Sequence, residues 1–184
     1  MLAHKSEFEK AVYEGGFRVL LTKELIEMRI GELGEQISKD YRGQQPIIIG
    51  VLNGAFIFMA DLIRRIEVDV EVDFIKISSY GDAKMTSGQV TMLKDINAEI
   101  AGRHVLLVED IVDTGLSIEF LQKKFAALKP ASLRYVSFLL KRDSVKSDIK
   151  IDYVGFEIPS EFVVGYGLDY KQILRNLPAV YIMD

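Results

Sequence analysis

The segment from Val105 to Ser117, with the sequence VLLVEDIVDTGLS, limits the folds available to this chain more than any other segment. It begins as an apolar run of strand length, which we expect to end at Val108, and continues into acids and a Thr-Gly-Leu-Ser turn that opens a helix. A buried strand that leads directly into a helix is typical of a parallel sheet covered on both faces. Glu109 and Asp110 then leave the carboxyl edge of the sheet, where open α/β folds bind ligands.

The turn after these acids has the features of a phosphate-binding site. The backbone N–H groups of residues 113–117, the hydroxyls of Thr114 and Ser117, and the start of the helix can surround one phosphate. Gly115 lets the backbone approach the anion closely. Asp113 and Thr114 could instead act only as helix caps, but this reading leaves the paired acids unexplained. Acids beside a phosphate cup suit a ribose 5-phosphate, and the turn lacks the Gly-Lys-Ser/Thr of a Walker loop.

Composition narrows the class of protein further. A length of 184 residues fits one domain, and the absence of cysteine excludes a thiolate nucleophile, a zinc-thiolate site and a disulfide framework. Of the two histidines, we expect His104 to be structural and His4 to lie in a terminus. No apolar stretch is long enough for a membrane span, and early acids argue against a secretory signal, so a cytoplasmic location is expected. A net charge of -4 disfavours broad nucleic-acid binding.

Strands and helices alternate along the chain. Helical spacing predicts an amphipathic helix over 22–41 with Thr22 as its N-cap, and an apolar helix reaching about Arg65. The predicted strands cover residues 47–52, 70–79, 90–93, 105–108, 134–140, 153–156, 162–166 and 180–183. We therefore predict a single α/β domain over 1–184, with a mainly parallel twisted sheet flanked by helices. Its core would span about 20–145, and residues from about 150 to 184 would form a small hood, to which the amino terminus could contribute.

Residues 105–117 resemble the signature that binds phosphoribosyl pyrophosphate in type I phosphoribosyltransferases. Four further segments, in matching order and spacing, extend the resemblance to the hypoxanthine-guanine phosphoribosyltransferase family: LNGA at 52–55, SSYG and TSG within 78–88, LLKRD at 139–143, and GFEIPSEFVVGYGLDY at 155–170. The resemblance implies the type I phosphoribosyltransferase fold. It also implies Mg2+-dependent transfer of a 5-phosphoribosyl group from its pyrophosphate to N9 of a 6-oxopurine, hypoxanthine first with guanine accepted.

The resemblance assigns roles around the sugar and the leaving group. Glu109 and Asp110 would hold the ribose hydroxyls directly or through Mg2+, and Asp169 would hold a second Mg2+ on the pyrophosphate. The ribose 5-phosphate site would comprise Glu109, Asp110, Asp113, Thr114, Gly115, Leu116 and Ser117. The pyrophosphate site would comprise Leu52, Asn53, Gly54 and Arg175. Ser79 and Tyr80 would head a loop that closes over the reaction centre and excludes water.

The same resemblance assigns the base site. Asp113 would exchange a proton with purine N7, and Lys141 would donate to O6, which selects 6-oxo over 6-amino purines. Phe162 would stack on the ring, Val163 would contact the base edge through its main chain, and Asp169 lies in the same segment. Without the family, Asp113 reads as a helix cap, Lys141 as a solvated strand end and Phe162 as a core residue.

Two positions depart from the family pattern. Asn53 stands where many members have lysine, which removes a cation from the pyrophosphate turn and weighs against the family's non-proline cis peptide at Leu52–Asn53. Backbone amides could still bind pyrophosphate there. Leu116 replaces a frequent lysine in the phosphate cup, with little expected effect because that cup works through backbone donors.

Several alternatives remain open at this point. A non-catalytic RNA-binding regulator of the same fold would need a basic surface, whereas 23 Lys and Arg stand against 27 Asp and Glu. A xanthine-preferring transferase is consistent with the same residues, since the oxopurines differ at C2. Lys141 and Phe162 argue against adenine, and no G-x-G-x-x-G supports a Rossmann dehydrogenase. Family members are commonly dimers or tetramers, so a homodimer or homotetramer is expected.

Overall fold

The computed structural model describes residues 16–80, 89–145 and 150–183, which contain nine strands, three α-helices and one short 3-10 helix. The strands are β1 (Phe17–Leu21), β2 (Ile47–Leu52), β3 (Glu71–Tyr80), β4 (Gln89–Lys94), β5 (His104–Val112), β6 (Ser132–Leu140), β7 (Tyr153–Glu157), β8 (Val163–Val164) and β9 (Val180–Met183). The α-helices are α1 (Lys23–Asp40), α2 (Phe56–Ile63) and α3 (Leu116–Ala127), and the 3-10 helix is Arg142–Ser144.

Six strands form the main sheet, in the order β4-β3-β2-β5-β6-β7. β4 is antiparallel to β3 at one edge, and the other neighbours are parallel. The chain runs from β2 outward to β3 and β4, and then returns to β5 on the other side of β2. The strand order therefore reverses between β2 and β5, and the crevice beyond their carboxyl ends is the expected ligand site. The predicted mainly parallel sheet is confirmed.

Helices cover both faces of this sheet. Successive strand residues point to opposite faces, so Ile48 and Leu106 pack in the cluster with α1 and α2, whereas Ile47 and Leu107 pack in the cluster with α3. This explains why the central strands are apolar at nearly every position. Thr22 caps α1 as predicted, since its hydroxyl accepts a hydrogen bond from the backbone N–H of Leu25 at 3.4 Å.

A second sheet has three antiparallel strands in the order β1-β9-β8, which joins the amino-terminal and carboxyl-terminal segments. β8 covers only 163–164, so the strand predicted over 162–166 is too long. The loop that follows β8 instead folds back through turns, in which the backbone N–H of Gly165 donates to the carbonyl of Leu168 at 3.0 Å. β7 lies in the main sheet, although it falls in the segment expected to form the hood.

His104 has the structural role expected from the sequence. Its Nδ1 lies 2.8 Å from the Ser132 hydroxyl, and its ring contacts Tyr41 edge-on with centroids 6.0 Å apart, at the amino end of β5. His4 lies outside the described residues. Within the described ranges, no helix combines the length and apolarity that crossing a bilayer requires.

Candidate active site

The paired acids lie inside β5 rather than after it. The strand continues to Val112, and Glu109 pairs with Ser137 of β6, so the prediction that the strand ends at Val108 is wrong. Pairing with β6 extends the strand beyond its apolar run. The consequence is that Glu109 is buried, with 5% of its surface exposed, while Asp110 is half-buried at the mouth of the crevice.

The two carboxyl groups share an unfavourable electrostatic environment. Burial raises the pKa of Glu109 well above its usual range, and the Asp110 carboxylate raises it further. Burial also raises the pKa of Asp110 to about 6, although the backbone N–H of Ile111 donates to it at 2.9 Å and the positive charge of Arg175 acts in the opposite direction. A cation or several hydroxyl donors placed against these acids would stabilise their ionised forms.

The predicted phosphate turn has the conformation that such a cup needs. Gly115 has φ +86°, the left-handed region, and is the N-cap residue of α3, to which the backbone N–H of Glu119 donates at 3.0 Å. Asp113 is therefore not the N-cap, which corrects the capping interpretation. Thr114 is exposed, Ser117 is half-buried, and Leu116 is 44% exposed, so the turn opens to solvent at the start of a helix.

The turn after β2 lies against the acids of β5. The Leu52–Asn53 peptide bond is cis, so the expectation that Asn53 would weigh against it is wrong. Gly54 is buried, and a Cβ there would overlap the carboxylate of Asp110. Only a glycine permits this approach of the predicted pyrophosphate turn to β5. Asn53 is exposed at the turn.

Lys141 and Asp113 form an ion pair at the carboxyl ends of β5 and β6. Lys141 Nζ donates to Asp113 Oδ2 at 2.9 Å, and the Lys141 backbone N–H donates to the Val112 carbonyl at 2.9 Å. The Lys141 side chain is 11% exposed, against 47% for Asp113. The solvated strand-end reading of Lys141 is therefore wrong, because its ammonium is held at the wall of the crevice.

These groups line a cavity of about 250 Å³ beyond the carboxyl ends of the strands. The cavity contains a cation, three carboxylates and an aromatic ring; its described lining residues are Asp110, Ile111, Asp113, Lys141, Phe162, Val163, Leu168 and Asp169. Phe162 is 49% exposed and contacts Tyr170 edge-on, with centroids 6.3 Å apart, so it is not a core residue. Ile111 and Leu168 were not among the predicted site residues. The sequence signal that could have identified Ile111 is its position among the acidic residues, with which it alternates once the strand is extended to Val112.

Asp169, which lines this cavity, forms an ion pair with Arg175. Arg175 Nη2 lies 2.6 Å from Asp169 Oδ1, and Arg175 Nη1 donates to the Gly167 carbonyl at 2.8 Å. A Cβ at Gly167 would overlap the carbonyl oxygen of Gly54, so this loop touches the turn after β2. The three segments predicted to bind the leaving group and its metal are therefore neighbours in space.

Ser79 and Tyr80 are the last two residues of β3, where their backbones pair with Val90 and Gln89 of β4. The loop that they would carry, residues 81–88, lies outside the described residues.

A larger cavity of about 440 Å³ lies on the α3 side of the site, where it is lined by Val112, Gly115, Ile118, Leu140, Arg142, Val145, Lys150 and Ile151. Its described lining contains no carboxylate and no aromatic ring. The smaller cavity therefore has the groups that could bind a base and act on it.

Residues 19–171 match the sequence profile of the phosphoribosyl transferase domain, which includes the acids, the turn after β2 and the base side of the cavity. The chain belongs to the phosphoribosyl transferase family. The hypoxanthine-guanine phosphoribosyltransferase of Bacillus subtilis (strain 168) is 44% identical to this phosphoribosyltransferase over 166 residues, which cover 90% of the chain and 92% of the relative. The Mycobacterium bovis enzyme of the same name is 46% identical over 180 residues, covering 94% and 89%.

Solved structures give the same result for the fold of this phosphoribosyltransferase. A hypoxanthine-guanine phosphoribosyltransferase from Bacillus anthracis aligns with a TM-score of 0.86 and 44% identity, covering 91% of this chain and 98% of that one. A hypoxanthine phosphoribosyltransferase from Staphylococcus aureus aligns with a TM-score of 0.88 and 40% identity, covering 94% and 95%. The family, the fold and the enzyme class predicted from the sequence are confirmed.

Proposed function

We propose that this phosphoribosyltransferase transfers the 5-phosphoribosyl group of phosphoribosyl pyrophosphate to N9 of hypoxanthine or guanine, in purine salvage. The observation that carries this proposal is the Lys141–Asp113 pair beside Phe162 in one cavity. A cation, a carboxylate and an aromatic face around one space match the O6, N7 and ring of a 6-oxopurine. The names of the relatives support the same substrates.

The base would lie between Phe162 on one side and Ile111 on the other, because both line the cavity. Lys141 donates to O6, where an amino group would instead present hydrogens to a cation. Asp113 accepts the N7 proton as the new bond forms at N9. The main chain of Val163 contacts the base edge, and the buried position of Val163 fits that role.

The reaction replaces one bond to C1 of the ribose with another. The bond from C1 to the pyrophosphate oxygen breaks, the N9–C1 bond forms, and the electron pair leaves with pyrophosphate. Positive charge then develops on the sugar, where Glu109 and Asp110 provide negative charge and accept from the ribose hydroxyls. The cup of Asp113, Thr114, Gly115, Leu116 and Ser117 holds the 5-phosphate through backbone N–H groups.

The turn of Leu52, Asn53 and Gly54 binds the pyrophosphate through its amides, and Arg175 supplies a guanidinium for the phosphate oxygens. Arg175 is paired with Asp169 in this structure, at 2.6 Å. A pyrophosphate would therefore compete with Asp169 for the guanidinium.

Mg2+ fits these acids. In the described residues no cluster of three or more His, Cys, Asp or Glu forms a complete metal site. Mg2+ nevertheless commonly uses one or two carboxylates plus water and substrate oxygens. Glu109 and Asp110, whose pKa values are raised, would hold one ion with the ribose hydroxyls, and Asp169 would hold another with the pyrophosphate. Bound there, Mg2+ supplies positive charge to the leaving pyrophosphate.

We further propose that Ser79 and Tyr80, at the end of β3, carry a segment that shields the reaction centre from water. The protein would act in the cytoplasm as a homodimer or homotetramer. Phe56 at the start of α2 is 44% exposed, and it offers an apolar contact for a second copy. Light scattering after size-exclusion chromatography measures the assembly.

The experiment that tests this function is the rate of nucleotide formation from phosphoribosyl pyrophosphate and Mg2+ with hypoxanthine, guanine, xanthine and adenine in parallel. We expect turnover with hypoxanthine and guanine and none with adenine. Asp113→Asn should lower kcat by about a hundredfold or more. Asp143→Asn is a matched control, because Asp143 is an exposed acid in the adjacent 3-10 helix. A higher kcat/KM for xanthine, or RNA binding without turnover, would sink the proposal.

A further inference from the structure

The loop of residues 165–177 carries Asp169 and Arg175, the two residues proposed to act on the leaving pyrophosphate. Hydrogen bonds within the loop hold its own shape. The backbone N–H of Tyr166 donates to the Leu177 carbonyl at 2.9 Å, and that of Gly167 donates to the Arg175 carbonyl at 2.9 Å. The Arg175 guanidinium closes the loop through Gly167 and Asp169. Because these bonds are internal, the contacts of the loop with the core decide where Asp169 and Arg175 lie.

Two contacts join this loop to the segment that carries the pyrophosphate turn. Gly167 lies against the carbonyl of Gly54, with no room for a Cβ. The Tyr166 hydroxyl donates to Asp61 Oδ2 at 2.6 Å, and the Tyr166 ring packs on Phe138 with centroids 4.9 Å apart. Asp61 belongs to α2, which begins two residues after Gly54. Tyr166 and the turn are thus attached to the same short helix.

We propose that the Tyr166–Asp61 hydrogen bond is a positioning contact for the pyrophosphate end of the substrate. It holds the loop of residues 165–177 against α2, and so sets the separation between the turn at 52–54 and the Asp169–Arg175 pair. This inference rests on the proposed phosphoribosyl transfer. Tyr166 is buried, with 6% of its surface exposed, and it is absent from the described lining of the substrate cavity. It therefore acts through Asp169 and Arg175 rather than on the substrate.

The contact is well suited to fixing a loop. Burial and the Asp61 carboxylate raise the pKa of Tyr166, so the hydroxyl stays protonated and can donate throughout the neutral range. A hydrogen bond to a carboxylate is stronger than one between neutral groups. The base side of the cavity is held differently, since Lys141 follows β6 and is bonded to Asp113. Loss of the Tyr166 hydroxyl should therefore affect pyrophosphate and leave base recognition nearly intact.

The test is Tyr166→Phe, which removes the hydroxyl and keeps the ring on Phe138. We expect the KM for phosphoribosyl pyrophosphate to rise roughly tenfold, the change that follows from losing one hydrogen bond to a charged group. The KM for pyrophosphate in the reverse reaction should rise equally, while the KM for hypoxanthine stays within about twofold. Asp61→Ala should reproduce this pattern, whereas Asp61→Asn, which keeps a neutral acceptor oxygen, should raise the KM by less.

A matched control separates positioning from general destabilisation. Tyr153 is a buried tyrosine whose hydroxyl donates to the partly exposed carboxylate of Asp40 at 2.7 Å, at the amino end of β7 and away from the site, and it also accepts from Arg134 at 2.8 Å. Tyr153→Phe should lower the thermal unfolding midpoint comparably and leave every KM unchanged. An unchanged KM for phosphoribosyl pyrophosphate in Tyr166→Phe, or an equal rise for hypoxanthine, would overturn the inference.

If the wild type turns over no base, only the proposed function fails, and calorimetric titration with pyrophosphate and Mg2+ decides the inference. Roughly tenfold weaker binding by Tyr166→Phe supports it. Equal affinity, or no binding by the wild type, overturns it.

Discussion

Replacement of Lys141 by Met should weaken base recognition with little cost to folding. The substitution keeps the long apolar stem and deletes the ammonium, whose nitrogen lies 2.9 Å from Asp113 Oδ2. The Lys141 side chain as a whole is only 11% exposed. A hydrogen bond from a charged donor contributes about 1.5–3 kcal/mol, so kcat/KM for hypoxanthine should fall by about tenfold to 150-fold. Because Asp113 is 47% exposed, solvent screens the ion pair, and the free energy of unfolding should change by only about 1 kcal/mol.

The assay is steady-state nucleotide formation with hypoxanthine and adenine as separate substrates. The kcat/KM for hypoxanthine should fall, since Met contributes no donor for O6. Any adenine turnover in the variant, against none in the wild type, would come from the lost charge against the 6-amino group. Lys124→Met is a matched control. Lys124 Nζ forms an ion pair with Asp95 Oδ2, 2.7 Å apart, and neither residue lines the cavity. A kcat/KM for hypoxanthine within about threefold of the wild type would refute the role of Lys141.

Three further predictions concern the same site. Phe162→Leu should raise the KM for hypoxanthine by about twofold to tenfold, because stacking on the base is lost. Since Phe162 is 49% exposed, the free energy of unfolding should change by less than about 0.5 kcal/mol. An unchanged KM for hypoxanthine would contradict the stacking role. Gly54→Ala should lower kcat/KM for phosphoribosyl pyrophosphate on the order of a hundredfold, because the new Cβ displaces the Asp110 carboxylate. Gly31→Ala is the control and should leave kcat/KM unchanged, because there is open space around Gly31. Equal effects of the two substitutions would refute the reasoning. In metal-free buffer, stability should fall as pH rises from about 4 through the folded pKa of Asp110 of about 6, because the unfolded carboxyl ionises first. Asp110→Asn, which cannot ionise, should therefore be more stable than the wild type by on the order of 2–3 kcal/mol at about pH 7.5 and by much less near pH 4. Urea unfolding at both pH values measures this difference in the free energy of unfolding. A difference that does not change with pH would contradict the prediction.

Several elements could be predicted because their signals are local. The run IIIGVL of β2 is apolar at nearly every position, as a strand covered on both faces must be. Thr22 caps α1 through its own hydroxyl, three residues from its partner. The turn at 113–117 carries its glycine at the one position with positive φ, which the residue type already indicates.

The carboxyl end of β5 and two side-chain pairings escaped prediction because they depend on partners far away in the chain. β5 extends to Val112 because it pairs with β6 there, which placed Ile111 in the cavity and Glu109 in the interior. The Lys141–Asp113 pair joins residues 28 positions apart, and Tyr166 and Asp61 are 105 apart. No local pattern marks either pair.

By itself, the sequence determined the parallel α/β architecture, the phosphate turn and the residue types needed for a phosphoribosyl transfer, because periodicity, glycine placement and side-chain chemistry act over a few neighbouring residues. The tertiary structure alone decided which of those residues share a cavity, how far each carboxyl group is buried, and which contacts hold the leaving-group loop in place. Burial and the distances between charged groups depend on the packing of segments that are remote in the chain, so the raised pKa values of Glu109 and Asp110 exist only in the folded protein.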